Sequence, residues 1–595
     1  MYIYNNCSNF IYKKMRDDNY EVVVGIDFGS SGSGYAFSFF DNNKICYCDM
    51  PGVDINKKMP TEIILDGKNE VVAFGAKCKD YLKEKGLHQG NYFKGIKMHL
   101  YDRKKEIKAC NSDKVLPLEL VIQKVLEKLK DLCVEQLQKS WKIEESNIKW
   151  VVTIPAIWGE TEKGIMMKAC KNIGLISENT KKSLFFALEP EAASYYCSRE
   201  GNLDKIYMLE GNVYIVCDLG GGTGDIVAHY VKENNNLDEI SIPCGGPFGS
   251  NEIDKKIFNE IIKKIFECDN FNSFIKKYNE LLIKDEEDES TLYEEWNRLE
   301  EDIKSFKEAS TLEKIRNDEK YPISCTIFQY IFNDENINDL IDKYNKSLKN
   351  DSLKLTVKSK RKWIIDFPYK IIDKYIDEQA NLISKEIKEM KFSIKEEANI
   401  LIFVGGYCAN EVLISKIKNN LGEKYNYIQP NNPSLAIMEG ALLFGLNPGI
   451  IHTRLAKYTL GLECRTTWDD KIHSKGGEKK FDEENKEWYC ENIFSKLIEV
   501  NQKLNYNESL PPRTYYTTVP RKSSLIFYKS LKPNPLFTSE KGVEKITGCE
   551  LDSKKDYPIG EKITIYVYCG GTCLDVKAVH EKSGEEIAVT LNYEN

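Results

Sequence analysis

The chain has no C-x-x-C pair among its 18 cysteines and only six histidines, so a tetrahedral zinc site of the usual spacing is not encoded. No run approaches the roughly twenty apolar residues that a helical membrane span needs, and no span is expected. Neither charge dominates: 84 Lys and Arg against 92 Asp and Glu leave a net charge of -8, without a basic stripe. Nucleic acid is therefore not expected as a partner. The opening stretch MYIYNNCSNFIYKKMRDDNY is polar and lacks the apolar core of a secretory leader, from which reduced thiols and a cytoplasmic address are expected. What is present is an ordinary folded composition, 42% hydrophobic and 30% charged. At 595 residues the chain exceeds what one core serves, and two to four domains are expected.

Residues 1 to 20 lack periodicity and read as a loose tail. From Glu21 to about Pro448, short β-branched runs (Glu21 to Ile26, Trp150 to Ile154, Val213 to Val216, Ile400 to Val404) alternate with amphipathic stretches such as Leu118 to Leu137. That alternation predicts an α/β architecture. Residues 272 to 310 read as long charged helices, with the acidic run Asp285 to Glu289 a solvated loop or helix start. From 449 to 595 the texture is β-rich, with one short helix expected near Glu491 to Val500. Alternating segments close the chain at Lys562 to Tyr568, Cys573 to Val579 and Glu586 to Leu591.

The most informative feature is an internal near-repeat. Val22-Val23-Val24-Gly25-Ile26-Asp27-Phe28-Gly29-Ser30-Ser31-Gly32-Ser33-Gly34 is echoed by Val213-Tyr214-Ile215-Val216-Cys217-Asp218-Leu219-Gly220-Gly221-Gly222-Thr223-Gly224-Asp225. Each copy is a strand, an Asp, a glycine-rich turn and a second strand. Such a hairpin brings bare backbone N–H groups against an anion, while the Asp at the strand end suits a hydrated divalent cation. Ser31 and Thr223 are placed to bond phosphate oxygens or an attacking water. A helix-based P-loop is excluded, because neither turn is followed by Gly-Lys-Ser/Thr. The paired hairpins predict nucleotide binding.

With these hairpins stand Trp150-Val151-Val152-Thr153-Ile154-Pro155-Ala156-Ile157-Trp158, Ala187-Leu188-Glu189-Pro190-Glu191-Ala192-Ala193-Ser194 and Leu401-Ile402-Phe403-Val404-Gly405-Gly406, together with Gly245-Gly246-Pro247 and Gly440-Ala441-Leu442-Leu443-Phe444-Gly445. In this order they resemble the actin-type ATPase superfamily, and within it the 70 kDa heat-shock protein family, especially its atypical twelve-A/twelve-B-like branch. The resemblance runs from Glu21 to Asn595. It implies a two-lobed actin-like ATPase, a duplicated ribonuclease-H-like fold, with lobes at about 21 to 205 and 206 to 448. A β-sandwich follows over 449 to 595, without a helical lid because the chain stops at Asn595.

The resemblance further implies ATP or ADP with Mg²⁺ held through water by Asp27 and Asp218. Gly29, Ser30, Ser31, Gly32, Gly220, Gly221, Gly222 and Thr223 would wrap the phosphates. Glu189, Thr223 and Asp225 would organise the metal shell and the hydrolytic water. The family's catalytic lysine falls within Phe74-Gly75-Ala76-Lys77-Cys78-Lys79-Asp80, where register selects Lys79 over Lys77. Adenosine contacts would come from Glu301, Lys304, Gly405 and Gly406. Two positions depart from the family: Ala409 stands for its adenine-side arginine and Glu308 for the serine after the Glu-x-x-Lys element. The apolar acidic interdomain linker is replaced by Pro448-Gly449-Ile450-Ile451-His452-Thr453-Arg454. The expected function is that of a chaperone-like protein that binds Mg-ATP, hydrolyses it slowly and couples nucleotide state to a protein client held by the C-terminal β-domain. A nucleotide-gated scaffold with negligible turnover is the alternative, and a small-molecule kinase of the superfamily the third reading.

Overall fold

The strand expected at Glu21 to Ile26 forms over Val22–Asp27, buried along its whole length. It lies between its hairpin partner Gly32–Phe39, antiparallel with Asp27 opposite Gly34, and the parallel strand Ile148–Ile154. The computed structural model describes residues 20–40, 44–48, 58–176, 184–199, 208–281, 289–332, 336–483, 486–516, 524–551, 560–569, 571–572, 575–587 and 589–592. The expected tail, apart from Tyr20, and the acidic run 285 to 288 lie outside these residues.

The second sheet repeats the arrangement. Val213–Leu219 pairs antiparallel with Gly224–Val231, Asp218 opposite Asp225, and parallel with Ile400–Val404 on its other side. Strands so enclosed are buried on both faces and mostly apolar, as Val213–Leu219 and Ile148–Ile154 are, because helices cover each face. One cover is Leu118–Trp141, whose apolar residues Leu118, Val121, Ile122, Val125, Leu126, Leu129, Leu132 and Leu137 recur at helical spacing and are buried. Another is Ala436–Leu446, buried from Ala436 to Gly445 between Val22–Asp27 and the helix Glu189–Arg199. The fold is thus mixed α/β, as the alternation predicts.

Two strands beyond Pro448 still belong to the second sheet. Ile451–Leu455 runs parallel to Leu237–Glu239, and Lys503–Asn505 pairs with it. The segment that replaces the acidic linker therefore forms a ladder strand, and the texture change at Pro448 precedes the end of that sheet. Beyond it, two further sheets share one core. Leu460, Leu462, Ile498 and Phe527 come from one, and Ile563, Ile565, Val567, Val576 and Ala578 from the other. The expected short helix at Glu491 to Val500 is instead the strand Glu487–Ile498, in which Cys490, Asn492 and Phe494 are buried at period two. A buried Asn, with apolar Ile493 facing the other way, disguised that alternation in the sequence.

Candidate functional site

The two glycine hairpins meet. A Cβ on Gly221 would lie 2.0 Å from Ser31 Oγ, and one on Gly222 2.6 Å from Ser30 Oγ, so only glycine permits this approach. The first turn is pinned by Thr61, whose hydroxyl donates to Gly29 O at 2.8 Å and lies 2.8 Å from Ser33 Oγ. The second is braced by the backbone of Gly249, Ser250 and Asn251, which donate to Gly222, Gly220 and Gly221 carbonyls. The Asn251 side chain crosses to Ser31 Oγ at 3.0 Å and ties the two turns together.

Around this contact four carboxylates are buried: Asp27, Glu189, Asp218 and Asp225, each no more than 5% exposed. Asp225 accepts the Ile157 N–H at 2.9 Å, and Asp27 Oδ1 accepts the Thr153 hydroxyl at 3.2 Å. Burial, reinforced by the charges of Glu189, Asp225 and Asp27, pushes the Asp218 carboxyl well above the usual range. Burial raises Glu189 and Asp225 in the same direction. Two ammonium groups offset this charge. Lys97 bonds Glu189, and although burial works against its charge, Glu189, Asp27 and Asp225 together hold its pKa above the ordinary value. Lys58 Nζ lies 2.6 Å from Asp27 Oδ2.

Two oxygens in the cluster are buried, Asp218 Oδ1 with no hydrogen-bond partner and Asp27 Oδ2 against the Lys58 ammonium. Gly405, at φ 87°, passes Asp218 so closely that a Cβ would sit 2.5 Å from Oδ1. Among the described residues no group of three or more His, Cys, Asp or Glu is gathered to ligate an ion directly. Hard, buried carboxylate oxygens in a net-negative pocket fit a hydrated Mg²⁺ held through water.

The expected lysine is not the one in this cluster. Lys79, on the helix Lys77–Lys85, is half-exposed and bonds Glu301, while Lys77 is exposed. Lys97, on the short helix Ile96–Tyr101, reaches the carboxylates instead. The only sequence sign of this was a lysine between buried Ile96 and Leu100, too weak to single out. Glu301 and Lys304 share the helix Glu289–Glu308, Glu301 with Lys79 and Lys304 with Glu308 at 3.7 Å. Further pairs join the same two segments: Lys83 to Glu294, Lys94 to Glu300 and His88 to Glu289, at 3.2, 2.5 and 2.6 Å. Gly405 and Gly406 follow Ile400–Val404 beside Asp218, and Ala409 ends the short turn after them.

Behind the cluster lies a second polar set that sequence reasoning missed. Arg454 makes a bidentate pair with Glu191, at 2.9 and 2.7 Å, both buried. Lys457 bonds the carbonyls of Ala156 and Trp158, which flank the Ile157 N–H given to Asp225. His229, fully buried against Tyr214, has no hydrogen-bond partner at either ring nitrogen, and burial lowers its pKa from 6.5 to about 4. As pH falls the unfolded chain therefore takes up this proton first, and the native state loses up to about 3 kcal/mol between pH 6.5 and 4. His229→Phe should remove that loss. Urea midpoints of variant and parent should diverge in the variant's favour across this window, and a gap independent of pH would contradict the buried neutral imidazole.

No family model matches the chain. Heat shock 70 kDa protein 12A of Homo sapiens is 26% identical over 652 residues, covering 96% of this chain and 92% of that protein. Heat shock 70 kDa protein 12B of Homo sapiens is 23% identical over 654 residues, covering 97% and 91%. Chaperone protein HscA homolog of Rickettsia typhi is 28% identical over 256 residues, covering 41% and 39%. The similarity first carried by ordered motifs thus extends along nearly the whole chain, and the proteins it is similar to are those of the 70 kDa heat-shock family in its atypical 12A/12B-like branch.

Proposed function

We propose that the chain is an atypical chaperone-like nucleotide-binding protein: a two-lobed actin-like domain binds Mg-ATP, hydrolyses it slowly and signals its state to a protein partner at a C-terminal β-sandwich. The observation that carries the reading is the meeting of two glycine hairpins over four buried carboxylates and two ammonium groups. In this reading Asp27 and Asp218 hold the hydrated Mg²⁺, which supplies charge neutralisation on the phosphates. Gly29 to Gly32 and Gly220 to Thr223 present backbone donors to the β- and γ-phosphates. Thr223 and Asp225 orient a water for in-line attack on the γ-phosphorus. The β–γ bridging bond breaks, ADP and phosphate result, and Lys97 rather than Lys79 stabilises the charge on the γ-phosphoryl oxygens. Glu301, Lys304, Gly405 and Gly406 line the nucleoside side.

Coupling to the β-domain is supported by the run of contacts from Asp225 through the Ile157 N–H to the carbonyls that Lys457 holds. The β-domain also touches the first sheet's unit directly, with Thr572 donating to Phe186 O and its own carbonyl accepting from Lys163. Among the described residues no helix is long and apolar enough to cross a membrane. A nucleotide-gated scaffold with negligible turnover is favoured by one observation: Ala409 and the Lys304–Glu308 pair leave the adenine side without a free cation at those positions. Calorimetric titration with Mg-ATP and Mg-ADP, followed by phosphate release from the same sample, tests the choice. Binding with acceptor-independent release supports the ATPase, binding without release the scaffold, and ADP formation only with an added acceptor a kinase. Absence of binding overturns all three.

A further inference from the structure

Asp27 and Asp218 occupy matching places in the two repeats, yet their surroundings differ. Asp218 Oδ1 is buried with no hydrogen-bond partner. Asp27 has an ammonium against it, Lys58 at 2.6 Å, with the lysine side chain 16% exposed. Lys58 is held there by its own backbone. The next residues, Met59 and Pro60, form a strand against Ser33 and Gly32 of the first hairpin, and Thr61 donates its N–H to Ser31 O at 3.1 Å. The lysine stem passes Gly32, where an added Cβ would meet Lys58 Cβ at 3.5 Å. The ammonium is therefore carried by the same backbone that forms the phosphate cradle.

Resting on the nucleotide reading above, we infer that Lys58 is a cation built into the cleft, which contacts the terminal phosphate of the bound nucleotide and shares with the metal ion the charge neutralisation at Asp27. An ammonium has three N–H donors and can serve a carboxylate and a phosphate oxygen together. Nucleotide affinity should consequently depend weakly on Mg²⁺ in the parent and steeply once Lys58 is neutral.

Calorimetric titration of the full chain with ADP, in excess Mg²⁺ and in EDTA, reads this without any turnover. The parent should bind in EDTA within about tenfold of its Mg²⁺ affinity, a difference of about 1.4 kcal/mol. In Lys58→Met the ratio of the two dissociation constants should rise at least about tenfold above the parent's, and Lys58→Arg should restore it to within about threefold. An unchanged ratio in a folded Lys58→Met chain overturns the inference. Should that variant not fold, the parent decides alone: loss of more than about a thousandfold in EDTA overturns it. No ADP binding by the parent in either buffer would instead overturn the nucleotide reading on which the inference rests.

Discussion

Asp218→Asn should leave the chain folded, and more stable than the parent, while removing most of its nucleotide chemistry. The parent side chain is a buried carboxylate with an unpartnered oxygen, among three other buried carboxylates. Replacing it with a neutral amide of the same shape removes a charge that burial penalises, and a gain of about 1–3 kcal/mol is expected in the absence of ligand. With nucleotide the sign reverses. The amide neither attracts a hydrated cation nor matches the hairpin's electrostatics, and turnover should fall about 10²- to 10³-fold, with binding losing the modest metal dependence that the parent keeps. Urea unfolding without ligand, calorimetry and phosphate release on one preparation read the three effects. A variant that is less stable and binds Mg-ATP as the parent does would show that Asp218 is a structural residue and that the cleft lies elsewhere.

That opposition of stability and function explains why this part of the chain is legible in the sequence. A buried Asp at a strand end beside consecutive glycines is poor local design unless something charged is to be held, and two copies in the same frame make chance a weak account. Strands such as Ile400–Val404 were equally plain, because enclosure by helices demands unbroken apolar runs. What escaped notice has a common cause. Lys58, Lys97, Arg454 and Lys457 act at long sequence distance from Asp27, Glu189, Glu191 and Ala156, and each stands in a segment whose local pattern is ordinary. Lys79 is the complementary case. Its register after Gly75 fitted the family, but the helix Lys77–Lys85 turns it toward Glu301, and the cluster is served by a lysine eighteen residues further on, as 97 − 79 = 18. The strand Glu487–Ile498 was misread as a helix because burial there follows a polar residue, Asn492. Charges and buried polar groups are positioned by topology, which pattern alone does not supply.

The Arg454–Glu191 pair should be the strongest single tie between the strand Ile451–Leu455 and the helix Glu189–Arg199. It is bidentate, and the side chains are 8% and 0% exposed, so solvent screens little of it. Burial disfavours the guanidinium charge, yet Glu191, aided by Glu239, holds its pKa above the ordinary value. Removing one partner leaves the other buried without its main counter-charge, a cost of about 3–5 kcal/mol. Glu191→Gln and Arg454→Met should each lower the unfolding midpoint sharply and expose residues 447 to 458 to proteolysis. The double variant Glu191→Leu with Arg454→Met, apolar on both sides, should recover most of the loss, because what destabilises is the orphaned charge rather than the missing attraction. Small effects from both single changes would mean that the ladder to Leu237–Glu239 and the packing of Ile451 and Leu455 suffice to hold the strand. The outcome bears on coupling, because Lys457 stands three residues beyond Arg454 and holds the turn that feeds Asp225. If the latch fixes that stretch, a recovered double variant should keep nucleotide affinity but lose the change in partner binding between ATP and ADP. Retention of that change would place the signal in another set of contacts, such as those of Thr572 with Phe186 and Lys163.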